Sequence, residues 1–383
     1  MKRSRGNKFA DIFYGIRKVV LVLLISIGIL GILIFSANTL IVRLGENNLR
    51  KGMKGKTPNL MQEASSTEAG ATNQGAYEAG NQSGTGKEAE NSGVTWQEGW
   101  IRHDGKIYAY KEDILTFLLL GIDKQGTVKE SKNLTDGGQA DAIFLLVADP
   151  EEAKLSLIGV NRDTIVNVVM KGIGENGQDV VFPSQIAVQH GFGDGMEESC
   201  ELTEDRVAEL FFDLPIHAYA SFQISGVGAL NDALGGVEVV IPEDMTKKNK
   251  AWTAGATVTL KGNGARDFVQ WRDTSVFESA RGRLTRQKLY INAFLKKTID
   301  KTKKDITTPI TLYNTFKDYI VTDLGIEEIA YLAEELSGYT FDGDIYTLEG
   351  ETSMKGEHEG FYPDEEALKD LIIKVFYREV PVD

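Results

Sequence analysis

Five places in the chain hold charged residues of the kinds that work on phosphate. The run ILTFLLLGID ends on Asp123, DAIFLLVADP begins with Asp141, and KLSLIGVNRDT ends with Arg162 and Asp163 beside Thr164. FVQWRDT supplies Arg272, and ARGRLTRQ supplies Arg281, Arg283 and Arg286, followed by Gln287. Two converging carboxylates could hold Mg²⁺, a hard cation bound by one or two carboxylates and completed by phosphate oxygens and water. Arginines add permanent positive charge in a planar fork that matches phosphate. Together these groups suit phosphoryl transfer, where catalysis is chiefly positioning and charge neutralisation. Each also has a plainer use. An aspartate at a strand end caps a turn or pairs with an arginine, and the basic turn can pair in solvent with Asp273 and Glu278.

The arginines of ARGRLTRQ head a helical apolar pattern of Leu284, Ile291, Phe294, Leu295 and Ile299. A helix N-terminus is the positive end of the dipole, so cations there are unfavourable by roughly a few tenths of a kcal/mol each. An anion bound between them would offset that cost.

The elements that must position these groups are legible as patterns. ILTFLLLGID, DAIFLLVADP and KLSLIGV read as buried strands that deliver Asp123, Asp141 and Arg162-Asp163 to loops. WQEGWIRHDGKIYAY reads as a hairpin about an Asp-Gly turn. Helical patterns occupy SQIAVQHGFG, TEDRVAELFFDL, the stretch from about Gly282 to Lys304, ITLYNTFKDYIVTDL, IEEIAYLAEELSG and DEEALKDLIIKVFYREV. HAYASFQISGVGALNDALGG reads as a strand and then a helix, followed by the strand VEVVIP. Strands mixed with helices without strict alternation predict an α/β (α+β mixed) fold, one large domain with a central mixed sheet flanked by helices.

Ahead of that domain, Val19–Val42 is an uncharged apolar run of 24 residues, long enough to cross a bilayer. No small-residue cleavage site follows closely, which predicts an uncleaved signal-anchor. Six basic residues precede the run and five follow it, so charge alone does not orient it. The expected organisation is a short segment at 1–18, a transmembrane helix at 19–42, a flexible Gly/Ala/Ser/Thr/Asn/Glu-rich tether at 43–95, and the domain at 96–383.

Net charge is −14; the first 56 residues carry 11 basic and 2 acidic residues, which leaves −23 for the rest. That acidity argues against nucleic acid as a partner. Cys200 is the single cysteine, so neither an intrachain disulfide nor a cysteine zinc site is possible. The four histidines lack metal-ligand spacing, and no esterase elbow or Walker A lysine motif occurs. His190, beside a Gly-rich turn in VQHGFGDG, is a candidate to line the site or to serve structure.

LLLGID, ADAIFLLVADP, LSLIGVNRDT, LPIHAYASFQISGVGALNDALGGVEVVIP, LKGNGARDFVQWRDT and GRLTRQ occur in an order and spacing that resembles the LytR-CpsA-Psr family, over about Ile114 to Lys304. The resemblance implies a membrane-anchored, extracytoplasmic enzyme on the wall side of a Gram-positive cell. Such enzymes move an anionic glycopolymer from an undecaprenyl-pyrophosphate-linked glycan to peptidoglycan. By position, Asp123 and Asp141 resemble the family's Mg²⁺ carboxylates, and Arg162, Arg272, Arg283, Arg286 and Gln287 its pyrophosphate-contacting set. Asp163 or another of these aspartates is the candidate proton acceptor, with Arg281 accessory. The family's Pro-Arg-Asp is Asn161-Arg162-Asp163 here, and the lysine of its Lys-Ile-Asn segment is missing from FPSQIAVQHGFG. The resemblance also makes Ile224–Leu234 and the helices after Thr307 candidate walls of a prenyl-chain pocket, though apolar helix faces ordinarily form core. A non-catalytic polyprenyl-phosphate binder and a pyrophosphate hydrolase acting on the same lipid are the alternatives.

Overall fold

The computed structural model describes residues 39–60, 96–97, 99–272, 279–343, 345–355 and 358–381. In chain order come α1 (residues 39–49), β1 (Trp100–His103), β2 (Lys106–Tyr110), β3 (Leu115–Ile122), β4 (Ala140–Asp149), β5 (Lys154–Val160), β6 (Ile165–Met170) and β7 (Val180–Gln185). Then follow α2 (Glu197–Leu210), β8 (Ala218–Gln223), α3 (Val227–Ala233), β9 (Val237–Val240), β10 (Thr257–Leu260), α4 (Asn263–Gln270) and α5 (Ser279–Lys304). The last part holds α6 (Thr308–Phe316), β11 (Ile320–Thr322), α7 (Ile326–Glu335), β12 (Ile345–Thr347), β13 (Gly350–Lys355), β14 (His358–Pro363), α8 (Glu365–Phe376) and β15 (Tyr377–Glu379).

A six-stranded mixed sheet in the order β11-β8-β3-β4-β5-β12 forms the centre. β3 pairs antiparallel with β4 and parallel with β8. β3 and β4 are apolar at nearly every position because both faces of the sheet are covered. Side chains alternate along a strand, so Leu118, Leu120 and Ile122 pack with Ile143, Leu145, Val207 of α2 and Ile372 and Phe376 of α8. The intervening Leu115, Phe117 and Leu119 pack with Phe144, Leu146, Ile291 and Leu295 of α5 and Tyr331 of α7. The result is three layers, with α5 and α7 on one face and α2 and α8 on the other. α8 begins where Asp364 accepts the Ala367 backbone N–H at 3.0 Å, and Glu365 and Glu366 in its first turn favour the same dipole end.

Three expectations are corrected here. The tether expected over 43–95 is ordered up to residue 60. Leu49 is buried in the cluster beneath α7, the Asn48 amide donates to Glu328 at 2.7 Å, and Arg50 donates to the Asp113 carbonyl at 3.2 Å. Apolar spacing at Val42 and Leu49, seven residues apart, gives α1 a face to bury; the rest of that stretch, 61–95, lies outside the described residues. Of the helical reading over ITLYNTFKDYIVTDL, only the first part holds. The β-branched Ile320-Val321-Thr322 forms β11, which completes the sheet beside β8. SQIAVQHGFG makes a 3₁₀ turn over Ile186–Phe192 rather than an α-helix. Among the described residues no helix is long and apolar enough to cross a membrane, and residues 19–38 of the apolar run at 19–42 lie outside them.

Candidate active site

The charged residues gather at one end of the β3–β4 pair. Gly121 faces Ala142 and Ile122 faces Ala140, so Asp141 is the extra residue of a β-bulge. A bulge re-aims a side chain that regular pairing would hold in the sheet. Asp123 follows β3 directly, and its carboxylate accepts the Gln139 backbone N–H at 2.7 Å. Gln139 in turn accepts Arg162 Nη2 on its side-chain oxygen at 2.6 Å. Sequence reasoning missed Gln139; its signal was adjacency to Asp141 in GGQAD.

Arg162 leaves the end of β5 in a tight turn. The Asn161 side chain accepts the Asp163 N–H at 3.0 Å, and its carbonyl accepts the Thr164 N–H at 3.0 Å and the Thr164 hydroxyl at 2.6 Å. This Asx turn does the work of a rigid proline by hydrogen bonding. Neighbouring backbone fixes it further: the Ala187 N–H donates to the Arg162 carbonyl and the Phe361 N–H to that of Asp163.

Arg162 Nη1 and Arg283 Nη1 each take one oxygen of Asp141, the latter at 2.8 Å. Arg162 also lies 3.4 Å from Asp163. Arg272 belongs to the same cluster, since its charge acts on both Asp163 and Arg283. Burial raises the Asp163 pKa, opposed by Arg162, Arg272 and Arg283. Burial lowers that of Arg283, with Asp141 opposing and the two other arginines adding to the shift. Two buried guanidinium nitrogens, Arg162 Nε and Arg283 Nη2, have no hydrogen-bond partner among the described residues. A buried donor left without a hydrogen bond is costly; Arg162 Nε keeps the Asp163 carboxylate at 3.4 Å, whereas Arg283 Nη2 has no comparable contact among the described residues. The site gathers the guanidinium groups of Arg162, Arg272 and Arg283 with the carboxylates of Asp123, Asp141 and Asp163.

Not every expected residue joins them. Arg286, one turn beyond Arg283, donates Nε to the Phe268 carbonyl at 3.1 Å, Nη2 to the Trp271 carbonyl and Nη1 to Glu243, and stacks 5.3 Å from the Trp271 ring. All three nitrogens are engaged, so Arg286 is a positioning residue that ties α5 to the segment carrying Arg272. Gln287 reaches the Asp141 and Val269 carbonyls, both at 3.4 Å, and holds the bulge against α4. The Arg281 side chain lies outside the described residues.

His190 does not line the site. It is 1% exposed, with Nδ1 within 3.2 Å of the Gly137 and Gly138 carbonyls, and burial lowers its pKa to about 4. It anchors the loop leading to Gln139 from behind. Gly138 is at φ +87°, and a Cβ there would lie 2.5 Å from the Lys124 side chain, so the loop needs glycine.

Asp123 and Asp141 line one end of an apolar cavity of about 280 Å³, walled by Leu119, Phe144, Ile224, Val227, Tyr290 and Phe294 among others. A second apolar cavity of about 290 Å³, walled further along by α6 and α7, shares Leu146, Phe222, Leu230, Phe294 and Leu295 with the first. Ile224 and Leu230, together with helices after Thr307, do wall this space.

As a magnesium site the donor set fits one arrangement only. Asp123 has one oxygen bonded to Gln139, and both Asp141 oxygens serve arginines. No cluster of three or more acidic, His or Cys ligands exists among the described residues. The ion would take most of its shell from phosphate and water, as Mg²⁺ does.

Fold and site thus define an α/β protein with a cluster of arginines and aspartates at one end of an apolar cavity. The LytR_cpsA_psr family matches residues 67–373, and the chain belongs to that family. A polyisoprenyl-teichoic acid–peptidoglycan teichoic acid transferase TagU of Bacillus cereus is 26% identical over 190 residues, covering 49% of this chain and 53% of that protein. The protein of the same name from Oceanobacillus iheyensis is 26% identical over 242 residues, covering 63% and 69%. The chain therefore spans about half the length of the first of these relatives and somewhat more of the second. The crystal structure of B. subtilis TagV shares the fold, at TM-score 0.51 and 20% identity over 68% of this chain and 95% of that one.

Proposed function

We propose that the protein is a phosphotransferase that moves an anionic glycopolymer from an undecaprenyl-pyrophosphate carrier to a muramic-acid hydroxyl of peptidoglycan. One observation carries this reading: Arg283, bonded to Asp141 and left with a buried Nη2 that has no hydrogen-bond partner among the described residues, stands where Asp123 and Asp141 line one end of a largely apolar cavity. A polyprenyl pyrophosphate has the matching halves, a multiply charged head and a long hydrocarbon tail. Transferases acting on polyisoprenyl-linked teichoic acid among the relatives point the same way. The domain would act outside the membrane, anchored by the single apolar run at 19–42.

In this mechanism Arg162, Arg272 and Arg283 grip the pyrophosphate, with Arg283 Nη2, which makes no hydrogen bond among the described residues, donating to one of its oxygens. Mg²⁺, held by Asp123 and Asp141, would supply further neutralisation of phosphate charge. The acceptor oxygen bonds to the sugar-proximal phosphorus while its proton passes to Asp163, whose burial strengthens its hold on a proton. The bond from that phosphorus to the bridging oxygen breaks, undecaprenyl phosphate leaves, and the arginines receive the negative charge that develops.

Full-length protein in detergent, given a prenyl-pyrophosphate glycan, Mg²⁺ and uncrosslinked peptidoglycan, tests this. The expected result is phosphodiester-linked product, reduced about 10²–10³-fold in rate by Arg283→Ala, the range for losing one donor to a developing oxyanion. Tight lipid binding without product would make the protein a binder, and glycan phosphate released without attachment would make it a hydrolase.

A further inference from the structure

The chain docks onto the domain at the point where its bilayer-length apolar run ends. Gly45, three residues past the end of that run at 42, crosses the first turn of α7 so closely that a Cβ there would overlap the Glu327 carbonyl oxygen. The Asn48 amide donates to Glu328 at 2.7 Å, and Arg50 bonds to the Tyr331 hydroxyl and to the Asp113 carbonyl. Positions 45, 48 and 50 thus meet α7 at 327, 328 and 331, so the chain follows α7 from its first turn, and that turn is the end nearest the apolar run. Leu60 packs against the core cluster of α2 and α8, and the Asn59 N–H donates to the Phe212 carbonyl. Trp100 then opens β1, which pairs through β2 with β15. Residues 61–95 therefore join two docked segments of one domain, and none of that stretch separates the domain from the apolar run.

The consequence is one of distance. A flexible chain over 43–95 would put a root-mean-square span of about 40 Å between anchor and domain. The docked helix leaves only the rise from residue 42 to Gly45, about 4.5 Å. The free face of α1 is also apolar. Leu40 and Leu44 are four residues apart and Ile41 and Leu44 three, so they share a face, and all three are exposed, while Val42 and Leu49 pack on the domain. Ile326, beside Glu327 in the first turn of α7, is exposed as well. Aliphatic side chains exposed at the end of such a run suit the boundary between lipid headgroups and acyl chains, where helices bury an apolar face.

We propose that residues 39–60 are a clamp that holds the domain directly against a lipid bilayer, with Leu40, Ile41, Leu44 and Ile326 in the boundary layer. This rests on the anchoring by the run at 19–42 in the reading above, and deepens it: the domain is held at a fixed height instead of ranging on a tether. α7 carries the clamp at Glu327, Glu328 and Tyr331 and turns Ile329, Leu332 and Leu336 to the second apolar cavity, so the clamp sets one wall of that cavity beside the lipid.

The test uses full-length protein in vesicles whose lipids carry bromine near the top of the acyl chains, where it quenches a fluorophore at that depth. Cys200 is buried, so a thiol dye reports on an introduced cysteine alone. Dye on Ile326→Cys should be quenched. A flexible Gly-Ser insert of about 20 residues, spanning about 25 Å, should abolish the quenching when placed between Asn38 and Thr39. The same insert between Gly80 and Asn81 should leave it unchanged. Gly45→Leu, which pushes α1 off α7, should reduce it with no insert at all. Dye left unquenched in the parent protein, quenching that survives the insert ahead of Thr39, or quenching lost with the insert after Gly80 overturns the clamp. Flotation of the same vesicles keeps the failures apart. Protein that does not float removes the anchor and the clamp with it, whereas protein that floats unquenched removes the clamp alone. No substrate is present, so a protein that transfers nothing can still show the clamp.

Discussion

Arg283 and Arg286 stand three residues apart on α5 and are almost equally withdrawn from water, at 6% and 1% exposed. Their surroundings differ in kind. The guanidinium of Arg286 is completed by the protein, through two backbone carbonyls, Glu243 and the Trp271 ring. That of Arg283 is completed on one side only, by Asp141, and its Nη2 faces the cluster with no partner. Burial is thus no guide to which arginine meets a ligand. The count of unsatisfied donors is, because a folded protein that leaves one unpaired carries a cost that a bound anion would remove.

The two arginines should part sharply on mutation. The large loss of transfer rate expected for Arg283→Ala should come with little change in thermal stability, since burial of an incompletely bonded cation is not a stabilising feature. Arg286→Ala should behave oppositely. It strips partners from two carbonyls and leaves a void beside Trp271, which should cost about 2–4 kcal/mol of stability. Glu243 is about half exposed and can rehydrate, so it adds little. Thermal unfolding of the two variants beside the transfer assay checks this. Equal loss of stability in both would dissolve the distinction.

A third buried group of potential positive charge, His190, extends the comparison, because it is completed only as a neutral ring. Its Nδ1–H donates to the Gly137 and Gly138 carbonyls, and its pKa falls to about 4 from an ordinary 6.5. The unfolded chain therefore takes up this proton first as pH falls. The stability contribution is intact above about pH 6.5 and is lost as pH drops toward 4. The shift corresponds to about 3 kcal/mol as an upper figure. His217, which accepts the Thr116 N–H, falls to about 4 as well and adds to the same slope. His190→Asn should lower stability at pH 7 but flatten its decline between pH 6.5 and 4.5, read from denaturant midpoints at each pH. An unchanged slope would mean that His190 is not buried neutral.

What the sequence made legible follows from the range of the interactions involved. The β3, β4 and β5 runs, the hairpin at β1–β2 and the long helix α5 announce themselves through local periodicity. So do Asp123, Asp141 and Arg162, because each sits at the end of such a run. Arg283 and Arg286 look alike in GRLTRQ, and only the distant Glu243 and Trp271 tell them apart. The choice for His190 between lining the site and serving structure stays open in the sequence for the same reason, since the loop at Gly137 that covers it is more than fifty residues away. β12 adds to the sheet edge nearly two hundred residues after β5, its partner, and three residues carry too little pattern to reveal it. The docking of residues 39–60 was hidden by a composition that turns tether-like only further on.

The smallest expected effect concerns the Arg162-Asp163 turn, which orients two members of the cluster. A proline before Arg162 would fix φ covalently. Asn161 instead relies on its side chain accepting the Asp163 N–H, while its carbonyl receives both Thr164 donors. Asn161→Ala removes the first of these bonds only and should cost about 0.5–1.5 kcal/mol. The Ala187 and Phe361 N–H groups still hold the flanking carbonyls, so the turn should loosen rather than open. Its effect on transfer should then exceed its effect on stability, because Asp163 must stay aligned with both the arginines and the acceptor. Asn161→Pro, which restores stiffness by another route, should recover the rate lost by Asn161→Ala if the backbone at 161 accepts a φ near −65°. Recovery of rate by proline without the side-chain bond would show that rigidity, not the asparagine amide, is what the site requires. A proline variant as slow as the alanine one would instead assign the amide a direct part in holding Asp163.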